Sequence, residues 1–84
     1  MKLRVRGVEA GAHSNEKIVE ISTTKGSAFL AVDSSQIQEN KIEVGGPVAI
    51  GKDQYLVELP QETFSGAGRV WIPKTELEGL EIAS

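Results

Sequence analysis

His13 is the only imidazole in the chain, and Glu9 and Glu16 are its nearest acidic neighbours in sequence. The three could in principle start a metal site or an acid-base pair. A catalytic zinc centre needs three protein ligands drawn from imidazole, thiolate and carboxylate, yet the chain has no cysteine and no second histidine. His13 is therefore read as a loop residue in water. A nucleophilic serine would need a base within hydrogen-bond reach, and His13 alone could serve simply. Carboxylates such as Asp53 and Glu58 are expected to solvate the exterior. No catalytic residue, metal or cofactor is expected, and a small hydrolase is the least favoured function.

Binding chemistry has more to work with. The chain holds four aromatic residues, and rings bury large area and dominate interface energetics. Trp71 and Tyr55 fall on neighbouring predicted strands, where they either fill the core or form a recognition surface. Phe64 lies in Glu62-Thr63-Phe64-Ser65-Gly66-Ala67-Gly68, a segment whose glycines let it present a ring, either as a contact or as a plug at the barrel end. Trp71, Tyr55 and Phe64 are thus the candidate protein-binding residues. The same loop carries Gly66-Ala67-Gly68-Arg69, but phosphate loops depend on a helix N-terminus after the glycines, and here a strand is expected.

Lys2, Arg4 and Arg6 alternate with apolar residues and form a basic stripe, the candidate surface for nucleic acid. Residues 1–28 carry five basic and three acidic side chains, whereas residues 29–84 carry four and nine. The formal net charge is −3, against the basic balance of a nucleic-acid footprint. Nucleic acid is accordingly the alternative partner.

The elements that must hold these residues are strands. Eighty-four residues, 39% apolar and 25% charged, make one domain over 1–84 with a small core. No run approaches the roughly 20 apolar residues of a membrane span, and no apolar signal segment opens the chain. A cytoplasmic protein is expected, with no membrane contact.

Leu3 and Val5 should face inward from a strand whose other face is charged. Lys17–Thr23 and Ser27–Val32 read as a hairpin turned at Lys25-Gly26. Asp33 to Gln38 has the Ser-x-x-Gln spacing of a capping box, and only one turn fits, so a 3₁₀ turn is expected. Lys41–Val44 opens a second series. Gly45-Gly46-Pro47 marks a bend or bulge, followed by Val48–Ile50, Gln54–Leu59, the 61–68 loop, Arg69–Ile72, a turn at Thr75-Glu76-Leu77-Glu78, and a last short strand over 80–82. Ile37 and Leu77 should plug the ends.

The two series match. Leu3-x-Val5-x-Gly7, Val19-Glu20-Ile21 and Ser35-x-Ile37-Gln38 answer to Ile42-x-Val44-x-Gly46, Val57-Glu58-Leu59 and Thr75-x-Leu77-Glu78, at offsets of 39, 38 and 40. A fixed internal period points to repeated structural units. The expectation is an all-β barrel built from two three-stranded repeats, 1–39 and 40–84, with short 3₁₀ turns and no long helix.

Gly68-Arg69-Val70-Trp71-Ile72-Pro73-Lys74-Thr75 followed by Leu77 resembles the close of an SH3-like barrel, over roughly 42–82. The resemblance implies a small closed barrel whose first strand lies near its last, so that Glu78 and Glu81 would neutralise the Lys2, Arg4 and Arg6 stripe, since opposite charges across strands stabilise a sheet. In peptide-binding members a tyrosine three residues after the proline lines the groove; Glu76 stands there, so PxxP recognition is not implied. The resulting expectation is a non-catalytic protein-interaction module or small accessory protein, with a homodimer plausible because a barrel this small gains stability by burying an edge or patch.

Overall fold

Strict alternation decides the first strand. Leu3 turns fully inward while Lys2 and Arg4 stay at the surface, making β1 (Lys2–Arg4). The computed structural model describes residues 1–79; the strand expected over 80–82 lies outside the described residues. From β1 the chain runs through β2 (Gly7–Ala10), β3 (Glu16–Thr23), β4 (Gly26–Asp33), a 3₁₀ turn at Ser34–Gln36 and β5 (Ile37–Gln38). It continues through β6 (Lys41–Glu43), β7 (Gly45–Ile50), β8 (Gln54–Glu58), β9 (Arg69–Pro73), a second 3₁₀ turn at Lys74–Glu76 and β10 (Leu77–Glu78). The protein is all-β. No helix among the described residues is long and apolar enough to cross a membrane.

The pairings make three sheets: β10-β1-β6-β5, β2-β3-β4 and β7-β8-β9. Among the described residues they do not close into a barrel, where a closed one was expected. The physical reason lies in where the chain leaves the central sheet. Val5 N–H donates to Asn40 O, still within the central sheet's neighbourhood, but Arg6 N–H donates to Glu20 O on β3. One residue therefore hands the backbone from one ladder to another. After β6, Val44 N–H donates to Met1 O, and the next residue, Gly45, already pairs with Glu58 on β8. Each series also supplies five strands where three were expected, the additions being β2, β7 as a strand separate from β6, and the two-residue strands after the turns.

Local chemistry explains the joints. Between β5 and β6 the two turn residues, Glu39 and Asn40, have φ of 54° and 62°, the paired left-handed conformation of a two-residue hairpin turn. Asp33 caps the first 3₁₀ turn: its carboxylate accepts from Ser35 N–H at 2.9 Å, and the Gln36 amide oxygen accepts from Asp33 N–H at 2.8 Å. The box is thus Asp33 with Gln36. Hydrogen bonds from the Ser35 backbone and hydroxyl hold the Asp33 carboxyl below its ordinary range. The second turn has Pro73 in the capping position and no side-chain cap.

The β3–β4 and β8–β9 hairpins carry the core. Val19 and Ile21 on β3 and Leu30 and Val32 on β4 face inward, as do Tyr55 and Val57 on β8 and Ile72 on β9. Leu3, Ile42 and Leu77 supply the inner face of the central sheet, and Ile37 packs against them half-buried. Burying each such aliphatic side chain contributes about 1.5–3 kcal/mol. At β7 the register shifts between Gly45 and Ala49, the bulge expected of Gly-Gly-Pro.

Candidate interaction surface

Register separates the three aromatic candidates. On β8 and β9, Tyr55 stands opposite Ile72 while Leu56 stands opposite Trp71, so Tyr55 and Trp71 occupy opposite faces of one sheet. Tyr55 is core, 3% exposed, with Lys74 Nζ 5.3 Å from its ring centroid. It contributes no contact surface, which corrects its place in the set. Trp71 is half-buried on the outer face. It also borders a groove of about 280 Å³ between the Thr23–Ser27 tip of the first hairpin, the Thr63–Ala67 part of the loop, and β9. Thr24 N–H donates to Trp71 O at 3.0 Å and fixes the tip against β9.

Phe64 is 66% exposed. Its loop is built to hold it there: Thr63 is buried, its N–H donates to Ala67 O, its hydroxyl accepts from Ala67 N–H, and its carbonyl accepts from Gly66 N–H. Gly66 has φ of 94°, a conformation that favours glycine. These bonds occupy the amides of Gly66 and Ala67, and Arg69 pairs with Glu58, so the loop offers no phosphate cradle. Thr63 bridges to Leu30, and Phe64 N–H donates to Phe29 O at 2.9 Å. The loop is thereby stitched to the edge of β4, and Phe64 comes beside Phe29, itself 42% exposed.

Phe29 is the functional candidate that sequence reasoning missed. The signal was present: in Ser27–Val32 the inward positions are Leu30 and Val32, so period two turns the ring at position 29 outward. Opposite it on β3 is Glu20, and the adjacent outward pair is Ile18 with Ala31. By register Phe29, Ala31 and Ile18 share the outer face of the β2-β3-β4 sheet, and Phe64 stands beside Phe29 at the β4 edge.

The basic stripe is largely neutralised. Lys2 lies in register between Glu78 and Glu43, with its Nζ 3.9 Å from Glu43, which also binds the terminal amino group at 2.5 Å. The hydrogen bond from that amino group holds the Glu43 carboxyl below the ordinary carboxylate range. Glu78 is held down in the same way, first by its hydrogen bond from Lys41 at 2.8 Å and then by the charges of Lys41 and Arg4. Arg6 forks onto Glu76, Nε to Oε1 at 2.8 Å and Nη2 to Oε2 at 2.5 Å, and this bond raises the guanidinium pKa further. Arg4 is exposed opposite Lys41. The expected neutralisation by Glu78 is routed through Lys41, and Glu81 lies outside the described residues.

His13 is exposed in its loop, and Glu16 is committed locally: its carboxylate accepts from Ala12 N–H at 2.8 Å. No cluster of metal-ligating side chains occurs among the described residues.

Comparison of the chain with family models, with curated proteins and with solved structures finds no match. The SH3 resemblance of 42–82 therefore rests on the residues that suggested it.

Proposed function

We propose that the chain is a non-catalytic protein-interaction module, a small accessory protein whose contact surface is centred on Phe64 and Phe29. The observation that carries this reading is the exposure of two adjacent rings, held in place by a loop whose internal hydrogen bonds and bridge to β4 spend backbone groups on keeping Phe64 outward. Most soluble proteins bury aromatic rings, and an exposed apolar cluster rimmed by polar residues marks an interaction site. Trp71 and its groove are the second part of the surface. A cytoplasmic location and a function without cofactors belong to the same reading.

The matching halves also belong to it. The β3–β4 and β8–β9 hairpins share one pattern of partners at offsets of 38 and 40: Ile18 with Ala31 answers to Leu56 with Trp71, and Val19 with Leu30 to Val57 with Val70. We read them as two copies of one unit. The contact surface then arises where the copies differ, since the Phe64 loop replaces the tight Thr23–Gly26 turn and Trp71 replaces Ala31. Nucleic-acid binding through Lys2, Arg4 and Arg6 is the weaker reading, because Lys2 and Arg6 already face carboxylates.

The test is affinity capture from the native cell extract by the wild-type chain and by Phe64→Ala and Trp71→Ala. Phe64→Ala is expected to lose at least about tenfold of the captured partner, the effect of truncating an interface anchor. Equal capture by all three chains would remove the proposed surface.

A further inference from the structure

The β7 edge, which plays no part in the Phe64 surface, has an unusual composition. Edge strands expose a row of unpaired backbone groups and are commonly protected by charge. Over Gly45–Ile50 there is no charged residue, and Ile50 and Val48 are 71% and 45% exposed.

The hydrogen-bond phase of β7 can be read from its turn. Gly51 N–H donates to Gln54 O at 2.8 Å, and the next pairs are Ile50 with Tyr55 and Ala49 with Leu56. Antiparallel ladders alternate between bonded and non-bonded pairs, so Ala49 directs its N–H and C=O toward β8. Alternation turns those of Val48 and Ile50 to the open side. Pro47, without an N–H, ends the donor row.

We propose that β7 pairs antiparallel with β7 of a second copy of this chain about a two-fold axis through Ala49. Val48 of each copy then exchanges hydrogen bonds with Ile50 of the other. Ala49 meets Ala49 of the other copy in the close non-bonded position, where a small side chain fits. Ala49, Leu56 and Trp71 lie in one cross-strand row, and pairing sets two such rows end to end across a six-stranded sheet.

Charge makes the second copy the fitting occupant and distinguishes β7 from the β2 edge. On β2 the same phase, set by Gly11 N–H to Glu16 O, places Val8 and Ala10 outward and Glu9 at the centre. Self-pairing there would set Glu9 against Glu9 of the other copy, and like charges directly opposite destabilise a sheet. The β7 pairing has no such conflict, since Lys52 falls opposite Gly46.

Sedimentation equilibrium tests the proposal. The wild-type chain should approach twice the chain mass at high micromolar concentration. Ile50→Lys and Ala49→Glu should each weaken association by at least about tenfold, whereas Val8→Lys on β2 should leave it unchanged. Circular dichroism and thermal unfolding confirm that each variant is folded; because Ile50 is largely exposed, Ile50→Lys decides the matter even where Ala49→Glu fails to fold. A wild-type monomer at every concentration, a dimer insensitive to Ile50→Lys, or a dimer abolished by Val8→Lys would overturn the proposal.

Discussion

Ile42→Ala is expected to cost about 2–5 kcal/mol of stability, the range for truncating a fully buried aliphatic side chain. The upper part of that range applies because Ile42 has no exposure and stands in register between Leu3 on β1 and Ile37 on β5. Strand neighbours on both sides are held by their own ladders, so the space left by the removed atoms cannot collapse easily. Domains of this size have about 5–15 kcal/mol in total, and the thermal midpoint should fall by roughly 15–40 °C. Urea denaturation of wild type and variant measures it. A loss below about 1 kcal/mol would mean that the central sheet is not where the two halves of the chain are joined.

Arg6→Ala should lower the thermal midpoint by several degrees and by more than Glu76→Gln. The two partners are unequally placed. Glu76 is 5% exposed, whereas the Arg6 side chain is about half in water. Removing the carboxylate charge lets the guanidinium regain hydration. Removing the guanidinium strands a buried carboxylate, and an uncompensated buried charge is far costlier than a lost surface pair. Differential scanning of both variants and of the double variant separates the cases. Equal midpoints for the single variants would show that the pair behaves as a surface contact. The pair ties the second 3₁₀ turn to the start of β2, which the capless Pro73 cannot do.

The strands were legible in the sequence where polarity and turn residues agreed. Leu3 and Val5 were read inward from alternation alone, and Lys25-Gly26 located the first hairpin, whose glycine has φ of 115°. The Gly-Gly-Pro bulge followed from missing donors and conformational freedom. Closure was another matter, because nothing in a strand's composition says which neighbour its last amide will choose. The switch from Asn40 to Glu20 between Val5 and Arg6 is a tertiary decision. β2 escaped notice because Gly7-Val8-Glu9-Ala10 is a short edge strand without a buried side to enforce alternation. At the candidate surface, the glycine-rich loop left Phe64 open between contact and end plug, and the structure turns its ring outward. Tyr55 stayed open between core and surface because a tyrosine suits a wet or a dry face equally, and only the pairing with Ile72 fixes its side. Phe29 required trusting the period of β4 over the apolar character of the residue.

Hydrogen–deuterium exchange of the free chain and of the chain bound to its captured partner tests the central claim most directly. Protection in the complex should concentrate in Phe29–Ala31 and Thr63–Gly66, with a smaller effect at Trp71 and none across Lys2–Arg6. Protection along Lys2–Arg6 with unchanged exchange around Phe64 would contradict the account and return the basic first strand to the centre of the protein's function.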